Sequence, residues 1–348
     1  MRYEIRPDNW LERGALWFDA VPLPAVEMLV PLLKVRAIMT GVRLGVFERL
    51  ADGKLDAVAL AQRCGLDPEC LLLLLRVLVA ARYLESDGTQ FELAPIARHS
   101  LIRGGKRELA AYVEFNYAQW QFLEELESTL RAGRGIDFHR SLMNSASDWR
   151  TYQRAMLELA RPIAPLIGRR VPVPRGARRL LDLGGSHGLL GAAVCRAHPP
   201  LRSTVIDLPG AVAEAQLLAE REGIADLVEH RAGDILEIDL GSGVDVVLLS
   251  NVLHHFTKPE SKALLERVHR ALLPGGTVAV WELELPDRHE KPDLVRDALA
   301  LYFRVTSSGV GTSPGRLSRW LGRAGFTRVK SWRSARAPGW VLLHAQRP

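Results

Sequence analysis

Long uncharged apolar runs are missing from this chain of 348 residues. A membrane-spanning helix needs about 20 predominantly apolar residues in succession. The nearest stretch, residues 21–35, is interrupted by Pro22, Pro24, Glu27, Pro31 and Lys34. No membrane span is therefore expected. Cysteine is scarce, and Cys64, Cys70 and Cys195 form neither a CxxC pair nor a disulfide framework. A reducing, cytoplasmic setting fits that usage. Residues 1–14 lack an apolar h-region and carry Glu4, Asp8 and Glu12, so they do not read as a secretory signal. Runs of five or six like charges are absent, as are internal repeats and low-complexity segments. The chain is 47% apolar and 25% charged, which excludes a disordered or fibrous protein. Its 46 basic and 40 acidic residues leave a net charge of +6. The arginines are scattered, as on a solvated surface, and form no nucleic-acid footprint.

At ~150 residues per domain, the length suggests about two domains. Val35, Ile38, Met39, Val42, Leu44, Val46, Phe47 and Leu50 recur at helical spacing. Asp52-Gly53 marks a turn, and residues 56–63 read as a short helix. Asp67 is placed to cap the next helix, residues 69–81, with Pro68 at its first position. Residues 83–85 and 90–93 then form a hairpin around Asp87-Gly88. Three helices followed by a hairpin make a winged-helix pattern. Such domains often read DNA through Arg, Lys, Asn or Gln on the third helix. Here that helix is leucine-rich, pointing to core packing or to dimerisation.

Residues 101–174 read as connecting helices. Tyr112, Phe115, Tyr117, Trp120 and Phe122 form an aromatic stripe, suited either to a core or to a pocket wall. Pro162, Pro165, Pro172 and Pro174 punctuate a boundary. The rhythm then changes to alternating strands and helices. Strands are expected at residues 179–183, 203–207, 227–231, 244–250 and 277–282, the last after a Pro274-Gly275-Gly276 turn. Residues 325–345 add two more. Short apolar strands with helical crossovers imply a doubly wound, parallel α/β sheet. The expected division is 1–100, 101–174 and 175–348.

Chemistry-bearing residues sit at the predicted strand ends. Leu181-Asp182-Leu183-Gly184-Gly185-Ser186-His187-Gly188 is a strand, a glycine-rich turn and a helix start. Glycines there let a ligand approach the backbone. The spacing departs from G-x-G-x-x-G, and Asp182 suits a cationic group better than a phosphate. Asp207 can accept both hydroxyls of a ribose, or cap a helix. Asp234 can take an adenine amino group, or close a turn. His254 follows the fourth strand within Ser250-Asn251-Val252-Leu253-His254-His255-Phe256, a natural place for a general base. Of the two adjacent histidines, only one is expected to face a pocket. Glu282 ends the fifth strand, where it could fix the His254 tautomer or lie on the surface. Thr257-Lys258-Pro259-Glu260 reads as a capping box.

In this order the features resemble the class I S-adenosylmethionine-dependent methyltransferases, specifically the small-molecule O-methyltransferases of the plant caffeate and bacterial hydroxyindole type. The resemblance implies a Rossmann-like methyltransferase sheet behind a winged-helix-like dimerisation domain, and covers nearly the whole chain. Residues 37–48 look like that family's entry helix. It implies S-adenosyl-L-methionine as cofactor, with S-adenosyl-L-homocysteine as product and no metal. The cofactor would be held by Asp182, Gly184, Gly185, Gly188, Asp207, Leu208, Asp234, Ile235, Ser250, Asn251 and Met156. His254 would be the base, supported by Glu282. Tyr152, Trp120 and Phe303 would meet the substrate. The partners implied are a small molecule and a second copy of the chain. Departures are visible. Ser186 stands at the middle of the usual GGGxG, and His255 and Phe256 replace an Asp and a Trp. The second supporting acid falls near Gly311 or Thr312, neither of them acidic. Methylation of oxygen, of carbon or nitrogen, or retention of the cofactor for hydroxylase or cyclase chemistry all remain open at this level.

Overall fold

The computed structural model describes residues 7, 9–18, 20–105, 107–141, 143, 145–285, 289–309 and 311–348. Glu4 and Asp8, used above to read the N-terminus, lie outside the described residues. The chain divides into two compact units, Met1–Tyr117 and Ala118–Pro348. Among the described residues no helix is long and apolar enough to cross a membrane.

The first unit is built on helices Leu23–Arg43, Ala57–Cys64 and Pro68–Ala80. Asp56 and Asp67 start the last two, accepting the backbone N–H of Ala59 and Cys70, both at 2.8 Å. Each satisfies an amide donor that a helix start leaves unpaired. Phe47, Leu50, Leu60, Leu75 and Leu78 fill the core. The leucines of Pro68–Ala80 divide between two faces. Leu71, Leu75 and Leu78 are buried, whereas Leu73 remains 67% exposed. The hairpin forms from β2 (Leu84–Ser86) and β3 (Gln90–Leu93). Asp87 Oδ1 closes its turn by accepting from the amides of Thr89 and Gln90. Unforeseen is β1 (Leu55–Asp56), which pairs antiparallel with β3 and makes the sheet order β1-β3-β2.

The second unit carries a seven-stranded sheet. Its strands are β4 (Arg179–Leu183), β5 (Arg202–Asp207), β6 (Val228–Ala232), β7 (Val244–Ser250), β8 (Leu272–Leu283), β9 (Thr327–Ser334) and β10 (Ala337–Gln346). Their order is β6-β5-β4-β7-β8-β10-β9. The first five run parallel, and β10 is antiparallel to both β8 and β9. Chain order reverses between β4 and β7, so the connections leaving those strands diverge. A crevice opens beyond the strand ends at such a point. Two apolar layers flank the sheet, one around Leu183, Val247, Leu265 and Leu321, the other around Ile167, Val194, Leu248 and Leu342.

One strand differs from its sequence pattern. Pro274-Gly275-Gly276 is no free turn, because β8 begins at Leu272. Val244 pairs with Leu272 and Val246 with Thr277, so a bulge absorbs the extra residues. Gly275 N–H donates to the Arg347 carbonyl at 2.8 Å, and Arg347 N–H returns a bond to Gly276 at 2.9 Å. The chain's tail thus straps this segment into the sheet.

Gly188 shows how closely the first crossover helix, Leu189–Ala197, approaches the strands. Its φ is +76°, and a Cβ there would lie 2.7 Å from Val228 Cγ1 and 3.2 Å from Val205 Cγ2. Gly188→Ala therefore incurs both a left-handed backbone and overpacking. We expect a loss of about 2–4 kcal/mol, read by urea denaturation. A loss below ~0.5 kcal/mol would show that the helix yields freely.

Candidate active site

Beyond β4, β5 and β7 lies a pocket lined by Gly184, Ser186, Asp207, Leu208, Gly233, Asp234, Ile235, Asn251 and Val252 from the sheet side. Asp137, His139, Arg140, Trp149 and Tyr152 line it from preceding helices and loops, and His255 and Phe256 from the turn after β7.

Asp207 ends β5. Its Oδ2 accepts the Ser186 amide and its Oδ1 the Leu208 amide, both at 2.7 Å. Burial pushes its carboxyl up to about 6, and these two backbone bonds oppose the rise. Its carboxylate faces the pocket with acceptor capacity to spare, as vicinal hydroxyls require. Asp234 Oδ1 accepts the Leu236 amide at 2.9 Å, and its Oδ2 pairs with the Arg140 guanidinium. Arg140 also reaches Asp137, at 3.4 Å. Asn251 adopts φ +51° and accepts from Trp340 Nε1 at 3.1 Å.

Several expected residues stand behind the lining. Asp182 is fully buried and neither of its oxygens makes a hydrogen bond. A Cβ on Gly185 would lie 2.4 Å from Asp182 Cγ, so the carboxyl group occupies the space that glycine leaves. Burial pushes Asp182 up to about 7, which the nearby Gly191 amide opposes and the Asp207 charge favours. The Ser250 hydroxyl is buried without a hydrogen bond. Met156 lies on helix Ala146–Ala160 and Trp120 on helix Ala110–Leu123. Asp182, Gly185, Gly188, Ser250, Met156 and Trp120 do not line the pocket.

His254 and Glu282 meet through the turn after β7. Glu282 Oε1 accepts the amides of Val252 at 2.9 Å and Leu253 at 2.7 Å, and its Oε2 lies 2.9 Å from His254 Nδ1. Both side chains are buried. The carboxylate accepts, so His254 donates from Nδ1, and the neutral ring then carries its lone pair on Nε2. Phe303 stacks near this imidazole, with centroids 4.0 Å apart.

Of the paired histidines one lines the pocket, as expected, but it is His255 and not His254. Adjacent side chains oppose each other on a strand, but the chain has left β7 and forms a 3₁₀ turn, Leu253–His255. The two rings lie 4.1 Å apart, with His255 on the pocket lining and His254 behind it. His255 Nδ1 bonds Ser307 Oγ at 2.9 Å, and its ring lies 4.7 Å from that of His139. His139 Nε2 bonds the Tyr152 hydroxyl at 3.0 Å. Burial, with a lesser effect of the His254 charge, holds His139 down at about 3 and His255 well below its usual value. Both are neutral imidazoles near pH 7.

Gly311 stands beside His254. A Cβ there would lie 3.7 Å from His254 Cβ but 1.9 Å from Leu285 Cδ1, so Leu285 fills the place where a side chain would emerge. The Thr312 hydroxyl is buried and makes no hydrogen bond.

Sequence reasoning missed Trp149, His139, Arg140, Asp137 and Phe256. One signal existed for Trp149. A Cβ on Gly210 would lie 2.2 Å from Trp149 Nε1, so the glycine after Asp207-Leu208-Pro209 marks a close approach. Among the described residues no group of three His, Cys, Asp or Glu is arranged to hold a metal ion.

Asp182 gives a pH prediction. Its unfolded pKa is about 4, against about 7 when folded. Folding therefore takes up a proton between these values, and that contribution is lost as pH rises through 7. Asp182→Asn lacks this contribution. We expect its stability relative to wild type to rise by roughly 2–3 kcal/mol from pH 5 to pH 8, measured by urea denaturation. A constant difference would show an ordinary carboxyl group.

Comparison with known proteins agrees with this geometry. Residues 120–327 match the model of the O-methyltransferase domain, and residues 27–102 that of the O-methyltransferase dimerisation domain. The 3-hydroxy-5-methyl-1-naphthoate 3-O-methyltransferase of Streptomyces sahachiroi is 27% identical, over 91% of this chain and 93% of its own. An N,N-dimethyltransferase of Streptomyces rimosus is 30% identical, over 71% of this chain and 74% of its own. The solved structure of a mitomycin 7-O-methyltransferase superposes with a TM-score of 0.82 at 26% identity, covering 98% of this chain and all of the other. The domain match spans more than half of the chain, which therefore belongs to the S-adenosylmethionine-dependent small-molecule O-methyltransferase family.

Proposed function

We propose that this enzyme methylates a hydroxyl of a small aromatic or polyketide-like metabolite, with His254 as general base. The residues present suit the cofactor. Asp207 offers acceptors for the ribose hydroxyls and Asp234 for the adenine amino group. Leu208, Ile235 and Val252 supply apolar surface for the base, and Gly184 leaves room for Val252 to pack against the glycine turn. When bound, S-adenosylmethionine supplies an electrophilic methyl carbon on a sulfonium.

The chain's own contribution is alignment and proton removal. Holding the acceptor oxygen in line with the methyl carbon supplies much of the rate. A phenol has a pKa of about 10, so a base helps to remove its proton as attack proceeds. Glu282 holds His254 by Nδ1, which leaves Nε2 to take that proton. This 2.9 Å contact is the observation that carries the reading. Tyr152, Phe303 and the neutral His139 and His255 would give the acceptor a flat, uncharged surround. Trp120 remains a proposed substrate contact from the resemblance alone.

One relative is an N,N-dimethyltransferase, which favours amine methylation as a second reading. Calorimetric titration with S-adenosylmethionine and S-adenosylhomocysteine, followed by mass analysis of phenolic and amine acceptors, tests both. We expect micromolar binding of both cofactor forms and a gain of one methyl on a phenol. His254→Ala should lower kcat by ~10²-fold or more while leaving cofactor affinity unchanged. Unchanged kcat would remove His254 as the base.

Homodimerisation through the first unit belongs to the same reading. Met28, Leu29, Leu33 and Leu73 are exposed there, and apolar surface of that kind favours a partner. Light scattering should give twice the chain mass of 38.6 kDa. A one-chain mass would overturn the dimer.

A further inference from the structure

Gln153 is fully buried on helix Ala146–Ala160. Its Oε1 lies 2.5 Å from the donating hydroxyl of Ser186, and its Nε2 is buried with no hydrogen-bond partner. Leaving a buried amide donor unpaired is costly. An apolar side chain of similar volume would avoid that cost.

Ser186 carries a cost of its own. Its φ is +55°, a left-handed conformation that ordinarily belongs to glycine. It nevertheless lines the pocket, donates its amide to Asp207 and holds the Gln153 carbonyl with its hydroxyl. The bond to Ser186 fixes which end of the Gln153 amide points elsewhere. Two unfavourable features thus converge on one glycine-rich turn, at the edge of the pocket.

The polar ends of the cofactor fall into two kinds. Ribose hydroxyls and an adenine amino group need acceptors, and Asp207 and Asp234 supply them. The methionine end carries a carboxylate, which needs a donor. Arg140 is engaged by Asp234 and Asp137, and Arg154 by Glu214. His230 Nε2 is a second unpaired atom near this turn, 3.5 Å from where a Gly188 Cβ would stand, and like Gln153 it does not itself line the pocket. Gln153 is tied to the lining directly, through Ser186.

We propose that Gln153, oriented by Ser186, donates its amide N–H to the carboxylate at the methionine end of the cofactor. The inference rests on the cofactor reading given above. Ser186 acts as a positioning residue, spending backbone strain to aim a neutral donor. That accounts for a serine at a position where the glycine pattern expects none.

The test compares two ligands that differ only at this end. S-adenosylhomocysteine carries the amino-acid group, whereas 5′-methylthioadenosine keeps the adenosine and sulfur but lacks it. Calorimetry is run on the full-length wild type, Gln153→Leu, Gln153→Glu and Ser186→Ala. We expect Gln153→Leu to weaken S-adenosylhomocysteine by ~10–100-fold, as loss of a hydrogen bond to a charged group does. Its 5′-methylthioadenosine affinity should stay within about twofold of wild type. Gln153→Glu should lose at least as much, because like charges would meet. Ser186→Ala keeps the amide but frees it, and should weaken S-adenosylhomocysteine alone by a few-fold. It also serves if Gln153→Leu fails to fold. Equal loss of both ligands, unchanged S-adenosylhomocysteine affinity, or tighter binding by Gln153→Glu would overturn the proposal. If the wild type binds neither ligand, the cofactor reading fails, and this proposal with it.

Discussion

The carboxylate of Glu282 fixes the geometry of the site. It ends β8, yet its hydrogen bonds reach the turn that follows β7. Two backbone amides and one imidazole converge on it, all of them buried. Buried N–H groups without partners are costly, and a chain that has run past the end of its strand has no ladder left to supply them. Glu282 supplies the acceptor. One side chain therefore shapes the turn at Val252 and Leu253 and sets the tautomer of His254. The positions of His255 and Phe256 follow from that turn, as does the packing of the segment at Ser307, which His255 bonds. Glu282 can do this because β7 and β8 are neighbours, with Ser250 paired to Trp281. The residue after Trp281 then lies beside the start of the turn.

A second constraint lies on the other side of the crevice. Asp207 is a carboxylate whose two oxygens hold two backbone amides, one in its own loop and one in the glycine turn. The turn of β4 is thereby tied to the end of β5, in the way that Glu282 ties β7 to β8. Both carboxylates use backbone amides as ligands and retain acceptor capacity. The crevice exists because β4 and β7 send their connections in opposite directions, and it keeps its shape because an acid on each flank fastens a turn. Glycine serves this economy where atoms crowd. Gly185 yields its side-chain space to the Asp182 carboxyl group, and Gly188 yields its own to Val228 and Val205.

Much of this was legible in the sequence, for local reasons. Residues 244–250 form β7 as read, because the apolar run 246–249, bounded by Asp245 and Ser250 and flanked by Gly243 and Asn251, leaves little choice. Asp67-Pro68 and the Thr257 to Glu260 box start helices as their chemistry requires. What could not be read depended on distant partners. Pro274-Gly275-Gly276 carries turn chemistry, but the C-terminal tail supplies the bonds that draw it into β8. β1 is two residues long and exists because β3 offers it an edge. His139 and Trp149 reach the pocket from helices whose phase toward the sheet has no local marker. That His255 rather than His254 reaches the lining depends on the 3₁₀ turn after β7, which has no local marker either.

The three clustered imidazoles show what such placement does chemically. Their rings lie within 5 Å of one another in sequence His139, His255, His254. In bulk water each would titrate near neutrality. Here burial and the charge of His254 press His139 and His255 toward the neutral form. Among the described residues of the cluster, His254 alone has a carboxylate at hydrogen-bond distance. Under the proposed reading, a proton leaving an acceptor hydroxyl would find one ring with a carboxylate beside it and two that resist charge. The His139 and His255 rings on the lining stay neutral, beside the charged Arg140, Asp137 and Asp234 on the same lining. A phenolic acceptor would then meet the neutral rings of His139 and His255, and the charge that develops would sit on the ring that Glu282 already holds.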